Sequence, residues 1–174
     1  MLIETDRYII RHWRLTDAES LARNANNIKI SKFLRDGFPN PYGIEDALNW
    51  IKMVFNAGPN MHAFAIVVDG NAVGSIGITF KEDVYRLNAE IGYFIGEDYW
   101  SQGIMSSVVK EVVDYIFTNH DTVRIFAEVF ETNKASVKVL EKAGFIQEAV
   151  FKKNIVKDNK LLNSFLYSIL KSGI

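Results

Sequence analysis

Residues 99–107 read Tyr-Trp-Ser-Gln-Gly-Ile-Met-Ser-Ser and connect a predicted strand to a predicted helix. Residues 89–95 before them are rich in the β-branched and aromatic side chains that strands favour. Residues 108–117 after them repeat apolar side chains every three or four positions, which predicts a helix. The first turn of that helix is opened by small residues, namely Ser101, Gly103, Ser106 and Ser107. The interpretation of the rest of the chain depends on this strand–loop–helix segment.

The start of this helix is a candidate anion site. A helix N-terminus presents unpaired backbone N–H groups and the positive end of the helix dipole, an arrangement that suits a phosphate. The segment has neither the GxxxxGK[ST] pattern of a phosphate loop nor the GxGxxG pattern of a dinucleotide site. Taken alone, the segment is better explained as an ordinary strand–loop–helix connection.

Composition narrows the class of protein. The chain has 174 residues, of which 48% are hydrophobic and 24% charged, which predicts one ordinary globular domain over residues 1–174. The sequence has no cysteine, which excludes disulfides, cysteine-based metal sites and cysteine nucleophiles. The three histidines, at positions 12, 62 and 120, are far apart in the sequence, so we expect no bound metal.

Charge and hydropathy bear on partners and location. The formal net charge is −1, without a long run of one sign, which argues against nucleic acid as the main partner. Residues 1–7 lack the basic start and apolar core of a secretory signal, and no segment has the length of apolar residues that crosses a membrane. We therefore expect a soluble, cytoplasmic protein with no membrane partner.

The N-terminal half predicts one strand followed by helices. The strand covers residues 7–13, and a helix over residues 18–25 follows, capped by Thr16 or Asp17. Further elements are a short helix at 28–34, a loop at 36–43 and a helix at 44–55. The predicted buried face of the last helix consists of Leu48, Ile51, Val54 and Phe55.

The rest of the chain alternates strands and helices. Residues 63–68 and 72–80 flank Asp69-Gly70-Asn71, which predicts a β-hairpin, and residues 86–95 form the next strand. The later elements are a helix to about residue 119, a strand at 123–129, a helix at 133–143 ended by Gly144, and strands at 145–153 and 161–170. The order predicts an α/β fold of the α+β type, with a mixed, mostly antiparallel sheet of six to seven strands flanked by helices.

A second motif lies downstream of the first. Residues 133–145 have the form N-x-x-S-x-x-x-L-x-x-x-G-F. This stretch resembles motif B of the GNAT N-acetyltransferase superfamily, in its RimJ/RimL-like branch of ribosomal-protein N-terminal acetyltransferases, and residues 99–107 resemble the motif A loop that binds acetyl-coenzyme A. The element order is similar as well. Two positions depart from the pattern: Trp100 stands where a basic or amide side chain is common, and Met105 where a small residue is.

The resemblance implies a cofactor site. The strand that ends near Ile95 would splay from strand 123–129, with the pantetheine arm between them and the backbone around Phe94 and Ile95 pairing with its amides. The phosphates would be held by the loop and the helix start, at Gln102, Gly103, Met105 and Ser106. Asn133 would hydrogen-bond the cofactor; alternatively it caps the helix that follows it.

The resemblance also implies transfer of acetyl from acetyl-coenzyme A, as cosubstrate, to a primary amine. Strand alternation places Glu90, Gly92 and Phe94 on one face, and Glu90 matches a glutamate of the acceptor cleft, so it is the candidate base. Its alternative role is an ion pair with a nearby Arg or Lys. Ser136 matches the residue that protonates the leaving thiolate; alternatively it is a neutral serine on a helix surface.

Other side chains have less defined predicted roles. Glu128 and Glu131 are interpreted as solvated charges, and Trp13 and Trp50 as core or cleft wall. Aromatic residues of the early helices and their loop would shape the acceptor pocket, namely Phe33, Phe38 and Tyr42. The acceptor is a protein N-terminus or a small-molecule amine, and a homodimer is common in this branch. Two alternatives stay open: transfer of a longer acyl group, depending on the pocket depth beside Phe94, and a non-catalytic acyl-coenzyme A sensor.

Overall fold

The computed structural model describes residues 2–173, which contain eight strands and five α-helices. The strands are β1 Leu2–Glu4, β2 Ile9–His12, β3 Met61–Val68, β4 Asn71–Phe80, β5 Asn88–Ile95, β6 Arg124–Phe130, β7 Ile146–Lys157 and β8 Lys160–Leu170. The helices are α1 Ala18–Ala25, α2 Ile28–Ser31, α3 Ile44–Phe55, α4 Ile104–Asn119 and α5 Lys134–Lys142. Short 3-10 turns lie at Leu15–Asp17, Asp83–Tyr85 and Glu97–Tyr99.

The strands form one mixed sheet in the order β1-β2-β3-β4-β5-β6-β8-β7. β5 and β6 pair in parallel, from Asn88 opposite Arg124 to Glu90 opposite Phe126, whereas β2–β3, β3–β4, β6–β8 and β7–β8 are antiparallel. The predicted mixed, mostly antiparallel sheet is confirmed, but the predicted count of six to seven strands is too low. The missed strand is β1, whose three residues pair antiparallel with β2 and are too few to show an alternating pattern.

Contacts divide the chain into two compact units. The first unit consists of Met1–Thr79 and Gly92–Met105, and the second of Phe80–Ile91 and Ser106–Ile174. Two elements contain residues of both units, since β5 changes unit after Ile91 and α4 after Met105. The prediction of one domain therefore stays a prediction. Among the described residues, no helix is long and apolar enough to cross a membrane.

The first unit has a core between its helices and its strands. Ile51 of α3 and Leu21 of α1 are fully buried, as is Ala65 of β3, and Trp13 is nearly so. The helix predicted at 44–55 has those bounds, and Leu48 and Val54 pack against this core as predicted. Phe55 does not, because it is 53% exposed at the last turn of the helix.

Two hairpins turn through pairs of residues in the left-handed region. Asp69 and Gly70 have φ values of 48° and 77°, and Asp158 and Asn159 have 49° and 59°. Positive φ at both central residues defines the type I′ turn, whose twist matches that of the paired strands. The two turns connect β3 to β4 and β7 to β8, and the hairpin predicted around Asp69 and Gly70 is confirmed.

In the second unit, the end of α5 follows the prediction closely. Gly144 has φ 93°, a conformation that glycine adopts without a steric cost. Immediately after it, the N–H of Phe145 donates to the carbonyl of Leu140 at 3.0 Å, which satisfies a carbonyl of the last helical turn. Both Leu140 and Phe145 are buried. The chain thus leaves the helix through a left-handed glycine with an apolar contact on either side.

Asp17 differs from its predicted role, because its side chain does not cap α1. Its two carboxylate oxygens each accept a hydrogen bond of 2.8 Å from the guanidinium of Arg11, and one also accepts from the N–H of Arg14 at 2.8 Å. The side chains of Asp17 and Arg11 are only 6% and 12% exposed. Asp17 therefore anchors the turn between β2 and α1 through a buried ion pair.

We expect Asp17→Ala to lower the free energy of unfolding by about 3 kcal/mol, because it leaves a buried guanidinium without its partner. Urea denaturation measures the change. Asp114→Ala, which removes an exposed carboxylate from α4, is the control and should change stability by less than about 0.5 kcal/mol. Equal effects of the two substitutions would contradict the assignment.

Candidate active site

The loop between β5 and α4 contains two residues in the left-handed region. Ser101 has φ 59° and Gly103 has φ 77°. A Cβ built on Gly103 would meet nothing within 4 Å, so the backbone there is open to approach. The first helical residue, Ile104, follows directly. The loop therefore presents an accessible backbone immediately before a helix N-terminus, which is the geometry that the sequence predicted.

Hydrogen bonds within the loop define its course. The indole N–H of Trp100 donates to the carbonyl of Ile95 at 2.8 Å, which joins the loop to the end of β5. The side-chain amide of Gln102 donates to the carbonyl of Asp98 at 2.8 Å. The side-chain amide of Gln102 thus makes a hydrogen bond within the loop.

Residues from the N-terminal part of the chain also contact this loop. Nη2 of Arg7 donates to the carbonyl of Gln102 at 2.7 Å. Lys29 forms an ion pair with Glu97, and the side-chain amide of Asn27 donates to the same carboxylate at 2.7 Å. The hydrogen bond from Lys29, together with that from Asn27, lowers the pKa of Glu97. The carboxylate therefore stays charged, and it ties the loop to the start of α2.

The end of β5 lies against β4 without space for a side chain at Gly74. A Cβ built on Gly74 would lie 2.4 Å from the carbonyl oxygen of Phe94 and 3.0 Å from Cα of Ile95. The N–H of Gly96 donates to the carbonyl of Val73 at 2.8 Å. Gly74 therefore lets the two predicted cofactor-binding residues of β5 approach the neighbouring backbone.

Phe94 packs against an aromatic side chain of the loop before α3. Its ring meets the ring of Phe38 edge-on, with 5.5 Å between centroids, and Phe38 packs on Tyr42 at 4.9 Å. Burial raises the pKa of Tyr42 to about 12, so its hydroxyl stays protonated near neutral pH. Phe33 is half-buried and lies under the ammonium of Lys32. Phe38, predicted to shape the acceptor pocket, thus adjoins Phe94, and Tyr42, with the same predicted role, packs on Phe38.

Glu90, the candidate base, belongs to the second unit and is ion-paired. Its Oε2 accepts a hydrogen bond of 2.7 Å from Nζ of Lys81, and its side chain is 26% exposed. The same Nζ lies 5.3 Å from the ring centroid of Phe126, which is opposite Glu90 in the β5–β6 register. The alternative foreseen for Glu90, an ion pair with a nearby cation, is therefore present in the structure.

Asn133 and Ser136 are brought together at the start of α5. The side-chain oxygen of Asn133 accepts a hydrogen bond of 3.2 Å from the backbone N–H of Ser136, so the predicted cap is confirmed. Ser136 is half-buried, as is Ser106 in α4, and Met105 is buried. Phe94, Ile95, Gln102, Gly103 and Met105 belong to the first unit, and Glu90, Ser106, Asn133 and Ser136 to the second.

Sequence patterns did not find every residue that matters here. Arg7 and Gln102 are 95 positions apart, so no local pattern could have predicted their contact. The interpretation of Glu131 as a solvated charge was wrong, because its two oxygens accept from the backbone and the side-chain amide of Asn163 at 2.8 and 2.9 Å. Among the described residues, no group of three acidic or histidine side chains could hold a metal ion.

Comparison with known proteins shows the family of the chain. The family model of the acetyltransferase (GNAT) domain matches residues 7–146. The N-acetyltransferase YoaA of Bacillus subtilis, itself uncharacterized, is 30% identical over 174 residues, which cover 98% of this chain and 97% of that protein. The chain therefore belongs to the GNAT acetyltransferase family, and it is an acyltransferase.

Solved structures share the fold. A GNAT-family acetyltransferase from Bacillus anthracis superposes with a TM-score of 0.83 at 26% identity, over 98% of both chains. RimL, the ribosomal L7/L12 α-N-protein acetyltransferase, in complex with coenzyme A, superposes with a TM-score of 0.89 over the whole of both chains. At 17% identity, the likeness to RimL concerns the fold alone.

We expect Gly74→Ala to destabilise the protein by about 1–3 kcal/mol, because the new methyl group would overlap the Phe94 carbonyl and neither backbone can move freely. Gly77→Ala is the matched control in the same strand, since its Cβ would meet the nearest atom at an ordinary 3.6 Å. Urea denaturation of both variants measures the difference. A Gly77 variant that is destabilised as much as the Gly74 variant would contradict this account.

Proposed function

We propose that the protein transfers an acetyl group from acetyl-coenzyme A to a primary amine. The observation that carries the proposal is the open backbone at Gly103, set between the end of β5 and the start of α4 in a chain of the GNAT family. Backbone N–H groups at such a position suit a pyrophosphate, whatever side chains flank them. The complex of RimL with coenzyme A supports this choice of cosubstrate.

The pantetheine arm would lie along the part of β5 that contains Phe94 and Ile95, with its amides paired to the backbone as an added strand would be. The carbonyl of Ile95 already accepts from Trp100. A carbonyl has two lone pairs, so that bond does not prevent a second one from the ligand. The ring of Phe94 would border the acyl group.

The pyrophosphate would be held by backbone N–H groups of Gln102, Gly103 and Met105, and by Ser106. Met105 suits this role because its side chain is buried and leaves the loop uncrowded. Asn133 can serve the cofactor as well as the helix, since its oxygen makes the cap. The side-chain amide nitrogen keeps two donors for the cofactor.

Acetyl-coenzyme A supplies an activated thioester. The amine nitrogen would attack the carbonyl carbon, so that a C–N bond forms, and the C–S bond then breaks to release coenzyme A as a thiolate. Glu90 would accept the amine proton, directly or through a water molecule. The pairing of its Oε2 with Lys81 would hold the carboxylate in place for this transfer. Ser136 would give a proton to the thiolate, although a thiol pKa near 8.5 makes that assistance small.

The preferred acceptor would be an α-amino group. Its pKa of about 8, against about 10.4 for a lysine, leaves more of the reactive free base near neutral pH. RimL, which shares the fold, is an α-N-protein acetyltransferase. A protein N-terminus or a small molecule with an amine of similar pKa therefore fits a site in which Glu90 is the proposed base.

Saturating acetyl-coenzyme A should raise the melting temperature by roughly 5–10 °C, since ligand at 100 times its dissociation constant adds about 2.7 kcal/mol to the free energy of unfolding.

A thiol-release assay with N-terminal peptides, small amines and lysine side chains then identifies the acceptor, and a series of acyl chains tests the donor. The absence of any shift at millimolar ligand would reject the proposal. Binding without turnover on any amine would favour the acyl-coenzyme A sensor.

We expect Glu90→Gln to lower kcat about 100-fold or more with little change in the dissociation constant of acetyl-coenzyme A. The remaining rate should rise with pH through the pKa of the amine, because only the free base then reacts. Stopped assays between pH 6 and 9 measure this. Lys81→Met breaks the ion pair but retains the carboxylate, so it should lower kcat by less than Glu90→Gln does. A loss of rate equal to that of the Glu90 variant would reduce Glu90 to a structural ion-pair partner.

A further inference from the structure

We propose that Arg7 is a positioning residue for phosphate binding: its guanidinium holds the carbonyl of Gln102 and thereby aims the N–H of Gly103 at the pyrophosphate of the cosubstrate. The inference rests on the proposed function, because it concerns the same loop. It adds a residue from outside both sequence motifs, and it assigns that residue to one part of the ligand.

The loop has no basic residue of its own to balance the negative charge of a pyrophosphate. Residues 96–107 contain two acidic residues, Glu97 and Asp98, and no lysine or arginine. A pyrophosphate would bring further negative charge to this segment. Lys29 is already paired with Glu97. Arg7 places a second cation on the loop, at the residue next to Gly103.

The geometry of the peptide sets the direction of the effect. The Gln102–Gly103 peptide is trans, so its C=O and its N–H point in opposite directions across one plane. Arg7 binds the C=O at 2.7 Å, which turns the N–H of Gly103 to the opposite side. Around Gly103, φ 77° and the open space at its Cα leave the backbone accessible.

The guanidinium also strengthens the donor that it orients. A cation at the oxygen of a peptide polarises the group, and hydrogen bonds in series reinforce one another. Arg7 lies in a tight turn between β1 and β2. Its N–H donates to Oγ1 of Thr5 at 3.2 Å, and the N–H of Thr5 donates to the carbonyl of the buried Tyr8 at 3.0 Å. The backbone that carries the Arg7 side chain is thus held by this turn, and the guanidinium itself is placed by its bond to the Gln102 carbonyl.

The test compares two ligands on the same variants. Acetyl-coenzyme A carries the pyrophosphate, whereas S-acetylpantetheine lacks it and keeps the thioester and both amides. We expect Arg7→Met to raise the dissociation constant of acetyl-coenzyme A about tenfold, the lower end for a hydrogen bond to a charged group, and to leave that of S-acetylpantetheine within about twofold. Calorimetry and thermal-shift titration measure the two constants.

Two further variants complete the design. Arg7→Lys keeps a cation and a donor and should bring acetyl-coenzyme A affinity to within about threefold of the wild-type protein. Arg23→Met removes an exposed arginine whose guanidinium donates to Asn71 at 3.5 Å and not to Gln102, and should change neither constant. Equal losses for both ligands in either Arg7 variant, or no loss for acetyl-coenzyme A in Arg7→Met, would overturn the inference. A wild-type protein that binds neither ligand would instead reject the proposed function.

Discussion

The absence of a side chain at Gly74 is the constraint on which the candidate site depends. The Phe94 carbonyl occupies the position that a methyl group would take, so β4 and the end of β5 can meet only through bare backbone. Gly96, one residue beyond β5, is constrained in the same way, since a Cβ there would lie 2.2 Å from Oδ1 of Asn24. The close approaches at Gly74 and Gly96 therefore both constrain the chain where β5 ends and the candidate loop begins.

Charged side chains also hold the loop in place. The loop has its own acidic residues, and the cations that balance them come from the N-terminal part of the chain, Lys29 at Glu97 and Arg7 at Gln102. The loop proposed to receive an anion is thus held by cations from outside the loop. The same division holds in the second unit, where Lys81, directly after β4, forms an ion pair with Glu90. In both units, the groups proposed to contact the ligand depend on partners that lie outside the two motifs.

Local physics determined which features the sequence could predict. The type I′ turn at Asp69-Gly70 and the left-handed end of α5 at Gly144 were predictable because their backbone conformations select a few residue types. The location of the loop was predictable for the same reason. Asp17 was assigned to a helix cap because the rule considers only neighbours, whereas the buried guanidinium of Arg11 outweighs a cap. Phe55 fits the helical period, but the core ends before it.

The sequence allowed a set of site residues to be proposed, but it did not predict the hydrogen bonds that those residues make. Asn133 was identified with both of its candidate roles, and the structure contains the cap. The side chain of Gln102 turned out to bond Asp98, and the indole of Trp100 to bond Ile95, because short loops satisfy their own carbonyls first. Contacts such as that of Arg7 depend on how distant parts of the chain pack, and a single sequence carries no local signal for them.

Trp100 is an intrinsic fluorescent probe next to the candidate site. It is 38% exposed, and its N–H is bonded to the strand end proposed to receive the pantetheine arm, whereas Trp13 is buried in the core of the first unit. Indole emission shifts with solvation and with the strength of the N–H hydrogen bond, so the three tryptophans differ in their response to a ligand. Occupancy of the loop can therefore be followed by intrinsic fluorescence, without a label and before any acceptor has been identified.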